Sequence, residues 1–508
     1  ANEADILSTE NFNHMNLNKT FADYTALEVM QNLTCSGNLH LIDGTLEVNS
    51  PANLTVAGNV TIDLNACLNV NDYTGLEVTV GGNWTNNNTT RSITEGFWYG
   101  TSRVKFNGTA DQFVTTAAAE EIFYDLTVVK GAGEFKPNAN IFCYGDVEVA
   151  SGIWEDNVVG LHHTVYGDFT VQSAGAMYNA TPKNTVELAG TSDAVLTYAA
   201  GPGSFYALQI NKSTGISVTQ ASYVNCQYNG NFTLMNGIYN QAGFDFLTTG
   251  NIEVQDGAVL QVPAGSELIL IDGKTLNVQS GGRVEMAGTL ANKAMVRANV
   301  TTARYGFQVN SGGTIAAEHC IFKHMNSNGL FINGGAFIDP SHAFLNCTFQ
   351  DGAAGGTLLQ VNNTQTLTVR NANFPANSWG GASNVTKTVN SGRVYFVDYT
   401  GSFSGETFDN DAFNRLDWVP TLTATATAAP TPICAGSSSQ LNVNRTGGLT
   451  PFTYLWSPTT GLSNPAIINP LATPATTTNY SVTVTDYLGT TATSNVTVTV
   501  NPILPVSV

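Results

Sequence analysis

Charge is scarce in this chain. Of its 508 residues only 11% are Asp, Glu, Lys or Arg, and 38 acidic residues against 19 basic ones leave a net charge of −19. The basic residues stand singly, which excludes the dense positive patch that a nucleic-acid partner requires. No run of 18 apolar residues occurs, so nothing in the sequence spans a membrane as a helix. The seven cysteines (Cys35, Cys67, Cys143, Cys226, Cys320, Cys347 and Cys434) form no CxxC and no close pair. That argues against a zinc motif or a dense disulfide framework, and the odd count leaves at least one thiol unpaired. No amphipathic helix of three turns can be read anywhere. The chain opens Ala-Asn-Glu-Ala-Asp with no basic-then-apolar leader, which reads as a processed, exported protein.

Gly, Asn, Thr and Val abound instead, the composition of short strands joined by many turns. A recurring phrase, Gly followed by Asn or Asp and an alternating apolar run, starts at Gly37, Gly58, Gly82, Gly145, Gly167, Gly230 and Gly250, at intervals of 21, 24, 63, 22, 63 and 20. Taking 63 as three units gives a period of about 21. A longer echo, Phe106–Gly133 against Leu188–Gly215, is offset by 82, close to four such units. Strands this short cannot bury a face alone, so successive units must stack. The leucine-rich signature is absent and a propeller blade is twice as long, which leaves a parallel β-solenoid, right-handed by the usual crossover rule.

From Gly281 to Phe374 the phrasing changes but the style persists, with Phe322, Phe349 and Phe374 spaced 27 and 25 apart as an expected interior ladder. Cys320 and Cys347 share its register; a cross-coil disulfide and an inward ladder of thiols are both open there, and the ladder is favoured. Residues 1–419 at ~21 per coil predict 18 to 20 coils and a rod of order 90 Å. At Pro420 the glycine spacing stops. A Thr-, Ala- and Pro-rich connection leads into residues 420–502, whose strands are spaced for a small β-sandwich. Trp456 falls at the core-tryptophan position of an immunoglobulin-like fold and Tyr480 at the start of a late strand, the place of a tyrosine corner. Residues 503–508 remain as a terminal strand or tail. The fold class expected is all-β: a right-handed parallel β-helix followed by an Ig-like β-sandwich.

ICAGSSSQL, YLWSPTTGLSNP, ATPATTTNYSVTVTD and VTVTVNP resemble the PKD-like or Ig-like modules of surface proteins exported by Bacteroidetes. FNGTADQFV, GGTLLQVNNTQTLTVRNANF and FSGETFDNDAFNRLDWVP resemble the β-helix segments of the same class. The resemblance implies an extracellular chain, exported by the type IX system and trimmed at both ends. Those modules often carry a second cysteine where Thr490 stands here, so the resemblance implies that Cys434 is the unpaired thiol.

Chemistry is hard to find. The NTD, DD, GHG and RIK motifs of β-helix galacturonan hydrolases are missing. Arg283, Arg297, Arg304, Arg370 and Arg393, candidate lyase bases, have no acidic cluster beside them in sequence, although neighbouring coils could assemble one. The one dense acidic phrase holds Glu406, Asp409, Asp411 and Asp417. Glu406, Asp409 and Asp411 are weak Ca²⁺ candidates; the bland reading, a polar turn with Phe408, Phe413 and Trp418 covering the end of the core, is preferred. The adjacent His162 and His163 point to opposite faces of a strand and are taken as solvated turn residues. The Phe97, Trp98, Tyr99 run could form a sugar platform, but an inner stack or an intercoil ladder is the preferred reading. No cofactor and no catalytic residue is expected. The function expected is a structural or adhesive surface protein that self-associates head to tail into a fibre, with Ile503, Leu504, Pro505 and Val506 as an assembly strand and a surface glycan or cell-surface partner. The alternative is a carbohydrate-active lyase, hydrolase or glycan-binding module.

Overall fold

The computed structural model describes the chain except residues 1–3, 20–25, 71–74, 93–94, 173–175, 180–182, 200–204 and 503–508. It is an all-β, right-handed parallel β-solenoid of about 17 turns. At ~4.8 Å per turn this gives a rod of roughly 80 Å, slightly shorter than expected. The reason is that turn length is not fixed: hydrogen bonds between equivalent corners of adjacent turns join residues 20 apart at Asn231 and Asn251 but 32 apart at Asp272 and Arg304.

Each regular turn lays three short strands on three faces. Leu54–Val56, Val60–Ile62 and Ala66–Asn69 form one turn; Glu77–Val80, Trp84–Asn86 and Gly96–Trp98 stack on them in parallel register. Strand residues alternate, with Leu54, Val56, Val60 and Ile62 fully buried and Thr55 and Thr61 facing out. Period-2 patterning fills the interior because one face of every strand is inward.

The Gly-Asn/Asp phrase marks a corner where turns touch backbone to backbone. A Cβ on Gly58 would sit 2.3 Å from Asn38 Oδ1 and 2.7 Å from the Gly37 carbonyl oxygen, so only glycine fits. The residue after it forms a ladder: the Asn59 N–H donates to Asn38 Oδ1 (2.9 Å) and the Asn83 N–H to Asn59 Oδ1 (2.8 Å). Asp125, Asp146 and Asp168 repeat the device with carboxylates, at 2.8 Å per step.

Strand pairing corrects the count of units. Gly37, Gly58 and Gly82 precede strands of one ladder, Leu39, Val60 and Trp84. Gly145 and Gly167 precede another, which runs back through Leu126, Val104 and Val78. Gly230 and Gly250 precede a third, through Phe232 and Ile252. The 63-residue intervals are therefore not whole turns; each moves the motif to a different face. The 82-residue echo behaves likewise. Leu126 lies in the ladder of Val147, whereas its counterpart Leu208 lies in that of Phe232. A solenoid accepts this because its three faces offer a strand the same environment.

Phe322, Phe349 and Phe374 form the expected interior stack, with centroids 5.1 and 5.3 Å apart and rings within 14° of parallel. All seven cysteines are unbonded; Cys320 and Cys347 are buried side by side as thiols. At the end of the rod the covering differs from expectation. Trp418 stacks on Phe396 (4.3 Å) and contacts Phe374 and Tyr399, and Phe403 meets Phe408, but Phe413 is exposed. Asp411 turns the backbone there by accepting N–H bonds from Phe413, Arg415 and Leu416, which points Phe413 outward.

Beyond Leu422 a second buried cluster begins. Two small antiparallel sheets contribute to it: Thr423–Ala429, Ser439–Thr446 and Leu471–Ala472 in one, Thr453–Ser457, Thr478–Thr485 and Thr491–Val498 in the other. Arg370 of the rod holds this unit, donating to Thr490 Oγ1 (3.1 Å) and the Leu488 carbonyl (3.2 Å).

Candidate functional site

Two recesses flank a bulge in the strand Phe337–Leu345: one of about 440 Å³ lined by Pro340, Ser341, Leu345 and Arg370, and a smaller one of about 130 Å³ lined by Arg283, Glu285 and His342. Ile338 pairs with Ile315 and Ala343 with Ala317, so the residues between are looped outward. Asp339 thereby reaches Arg283 Nη2 at 2.8 Å across two turns, while Arg283 Nε donates to Glu285 at 2.6 Å. His342 stands 3.8 Å from Asp339. The arginine that lacked an acidic cluster in sequence thus has two carboxylates against it in space, Glu285 from its own strand and Asp339 from the bulge.

Its electrostatics disfavour proton transfer. Burial works against the charge of Arg283, but the hydrogen bonds it donates to Asp339 and Glu285 more than offset it, and the guanidinium is held above its usual range. The same bond to Arg283 holds the Asp339 carboxyl below the usual range. A base that keeps its proton and an acid that has lost its own make a saturated ion-pair cluster. Arg297 is similarly paired with Glu267 and Arg393 with Asp417, while Arg304 donates to the carbonyls of Thr301 and Ala303.

Several buried polar groups were not legible in the sequence. His162 and His163 do face opposite ways, but His163 is buried, not solvated: its Nδ1 accepts the Ile141 N–H (3.0 Å) and its Nε2 lies 3.0 Å from Asp156. Asp156 also accepts from Trp154 Nε1 and Asn184 Nδ2. Glu121 is fully buried and accepts from Trp84 Nε1 (3.0 Å) and Asn86. Desolvation raises its carboxyl above the usual range despite those bonds. Lys130 and Lys212, equivalent in the 82-residue echo, each donate to a backbone carbonyl, of Ala110 and Tyr166, at 2.6 Å. Burial lowers both amines to about 8.

The aromatic run splits. Phe97 joins the core against Trp84 (4.9 Å), while Trp98 and Tyr99 are half-buried beside each other, Tyr99 packing against the edge of the core. Tyr99 stacks on Tyr144 (5.4 Å), which contacts Phe142 (4.7 Å) and Tyr166 (5.6 Å). The outer strip so formed leads at Tyr166 into a shallow groove of about 340 Å³ containing Glu187, Asn211, Lys212 and Asn236. Glu187 is fixed there by His162 Nε2 (2.6 Å) and Asn211 Nδ2 (2.7 Å). A sequence signal existed: a tyrosine closes the strands ending at Phe123, Cys143 and Val165, at positions 124, 144 and 166.

The acidic phrase is spent on local structure. Asp409 accepts the Trp418 indole N–H (2.8 Å), its carboxyl raised to about 6 by burial, and Asp411 is taken up by three backbone amides. Glu406 lies in a short 3₁₀ turn, and among the described residues no three metal-capable side chains converge. Trp456 is buried with its indole donating to the Ile467 carbonyl (3.0 Å), and Tyr480 donates to the Thr460 carbonyl (3.1 Å). Cys434 is exposed. Ile503, Leu504, Pro505 and Val506 lie outside the described residues. Compared with known proteins, the chain matches no protein family and no curated protein.

Proposed function

We propose that this chain is an extracellular surface rod that works by display and adhesion, without catalysis, and that it joins head to tail into a fibre. The observation that carries the reading is the stack of about 17 turns, a construction that supplies reach and a long repetitive face. The saturation of the Arg283, Glu285 and Asp339 cluster favours a structural over a catalytic use of the smaller recess, which Arg283 and Glu285 line.

The C-terminal unit is read as an Ig-like module, on the support of its two antiparallel sheets, the buried Trp456 and the Tyr480 hydroxyl bonded back to the chain. The resemblance to exported Bacteroidetes surface proteins supports the location outside the cell and export by the type IX route. Assembly draws support from the first turn. Its strand Glu10–Phe12 pairs only with Leu33–Cys35 among the described residues, leaving an edge that can accept another strand. The segment Ile503 to Val506 is the proposed donor.

Labelling intact cells with an antibody against the chain tests the location, and electron microscopy of purified protein over a concentration series tests the fibre. Surface label and filaments that shorten when residues 503–508 are deleted are expected. Label confined to the cell interior, or a protein monomeric at every concentration, would overturn the respective part.

A further inference from the structure

The geometry points to the outer strip of Trp98, Tyr99, Phe142, Tyr144 and Tyr166, together with the groove at Glu187 and Asn211, as a binding site for a neutral polysaccharide lying along the rod axis. This deepens the adhesive reading by naming the class of ligand, and it rests on that reading only for its biological setting.

Four observations carry it. First, the rings are contiguous and reach the surface at Tyr144: centroids run 6.3, 5.4, 4.7 and 5.0 Å along Trp98, Tyr99, Tyr144, Phe142 and Tyr166, of which Tyr144 is 42% exposed and the other four are half-buried. A pyranose ring has an apolar C–H face and a rim of hydroxyls, so flat aromatic surface suits the first and tyrosine hydroxyls suit the second. Second, the repeat matches: turns recur at ~4.8 Å, close to the length of one sugar unit, and Tyr144 and Tyr166 follow paired strands of adjacent turns, so these two rings can meet successive sugars.

Third, the polar end is organised before any ligand arrives. His162, Glu187 and Asn211 belong to three adjacent turns and are tied together at 2.6 and 2.7 Å, which holds the carboxylate and amide in place at little entropic cost on binding. Fourth, the charge selects. The hydrogen bond from His162 keeps Glu187 below the usual carboxylate range, and Lys212, the one Lys or Arg lining the groove among the described residues, is buried with its ammonium turned to the Tyr166 carbonyl. A negative groove on a chain of net charge −19 repels uronic-acid or sulfated chains and accepts uncharged ones.

The test uses the full chain in solution, titrated with cellohexaose and xylohexaose as neutral probes and with a galacturonate hexamer as the acidic one. Binding of at least one neutral hexamer and none of the acidic one is expected. Tyr144→Ala and Tyr166→Ala should each weaken binding about tenfold, whereas Tyr487→Ala, on an exposed tyrosine of the C-terminal unit, should not change it. Unaltered near-ultraviolet circular dichroism of each variant outside its own tyrosine band checks the fold, and Asn211→Ala supplies a variant that leaves the strip intact. Binding of neither neutral probe, preference for the acidic one, or equal affinity in the Tyr144, Tyr166 and Asn211 variants would overturn the site. Binding in solution is independent of where the protein resides, so failure here and failure of the surface reading are separate results.

Discussion

Replacing Gly82 by alanine should open the rod locally, and replacing Gly131 by alanine should not. A Cβ on Gly82 would lie 2.4 Å from Asn59 Oδ1 and 2.5 Å from the Gly58 carbonyl carbon, where ordinary contact is ~3.5–4.0 Å. Relief requires the two turns to part by roughly 1 Å. The Gly82 N–H donates to the Gly58 carbonyl at 2.8 Å, and such a shift takes that bond beyond hydrogen-bonding range. Overpacking of this kind costs about 1–3 kcal/mol and the lost bond about 1 kcal/mol more, so about 2–4 kcal/mol is expected. Gly131 has nothing within 4 Å of its would-be Cβ and does not occupy the left-handed region, so alanine there should be neutral or stabilise by up to ~1 kcal/mol through the unfolded chain. A solenoid loosens turn by turn, so amide hydrogen exchange is the suitable assay. Amides from Asn83 to Asn86 should exchange one to three powers of ten faster in Gly82→Ala. Equal protection in both variants, or equal loosening, would refute the claim that glycine is required by contact between turns.

Four further outcomes follow from named contacts. Phe349→Ala removes the middle ring of the interior stack and should cost about 3–5 kcal/mol, read as increased exchange from Cys320 to Phe374. Glu121 has a raised folded-state pKa, so the folded chain keeps a proton that the unfolded chain loses; its contribution is full below the unfolded value near ~4.3 and falls as pH rises through the folded value. Glu121→Gln should therefore flatten the pH dependence of stability around Trp84 above the unfolded value of ~4.3, and an unchanged slope would contradict it. Under native conditions a thiol reagent should label Cys434 alone, with the six buried cysteines reacting only after denaturation. Arg370→Ala removes two charge-assisted bonds between rod and C-terminal unit and should hasten proteolysis near Pro420 without altering exchange in the turns before Leu367.

The repeat was legible because its signals are obligatory. Glycine at Gly37, Gly58 and Gly82 is imposed by backbone contact, and Asn38 and Asn59 carry the hydrogen bond to the next turn, so both recur wherever that corner recurs. The face on which each phrase lands was not legible. Residue counts measure distance along the chain, and corner insertions such as the 30-residue step from Asn83 to Phe113 change the phase without marking it. Interior stacking could be read from Phe322, Phe349 and Phe374 because each follows the same local phrase. Clusters built from side chains of different turns could not: Arg283 and Asp339 are 56 residues apart, and only the bulge at Pro340 brings them together. The aromatic strip lay between these cases, since its tyrosines recur with the turn while its ring contacts depend on which way each side chain leans.

The measurement that bears most directly on the central claim is turnover. The full chain, incubated with reducing-end-labelled neutral and acidic polysaccharides, should return every one of them at full length, even where it binds them. New reducing ends or unsaturated termini that increase with protein concentration, and that vanish in Asp339→Asn or Arg283→Ala, would make the smaller recess at Arg283 an active site and contradict the account of a rod that acts by display.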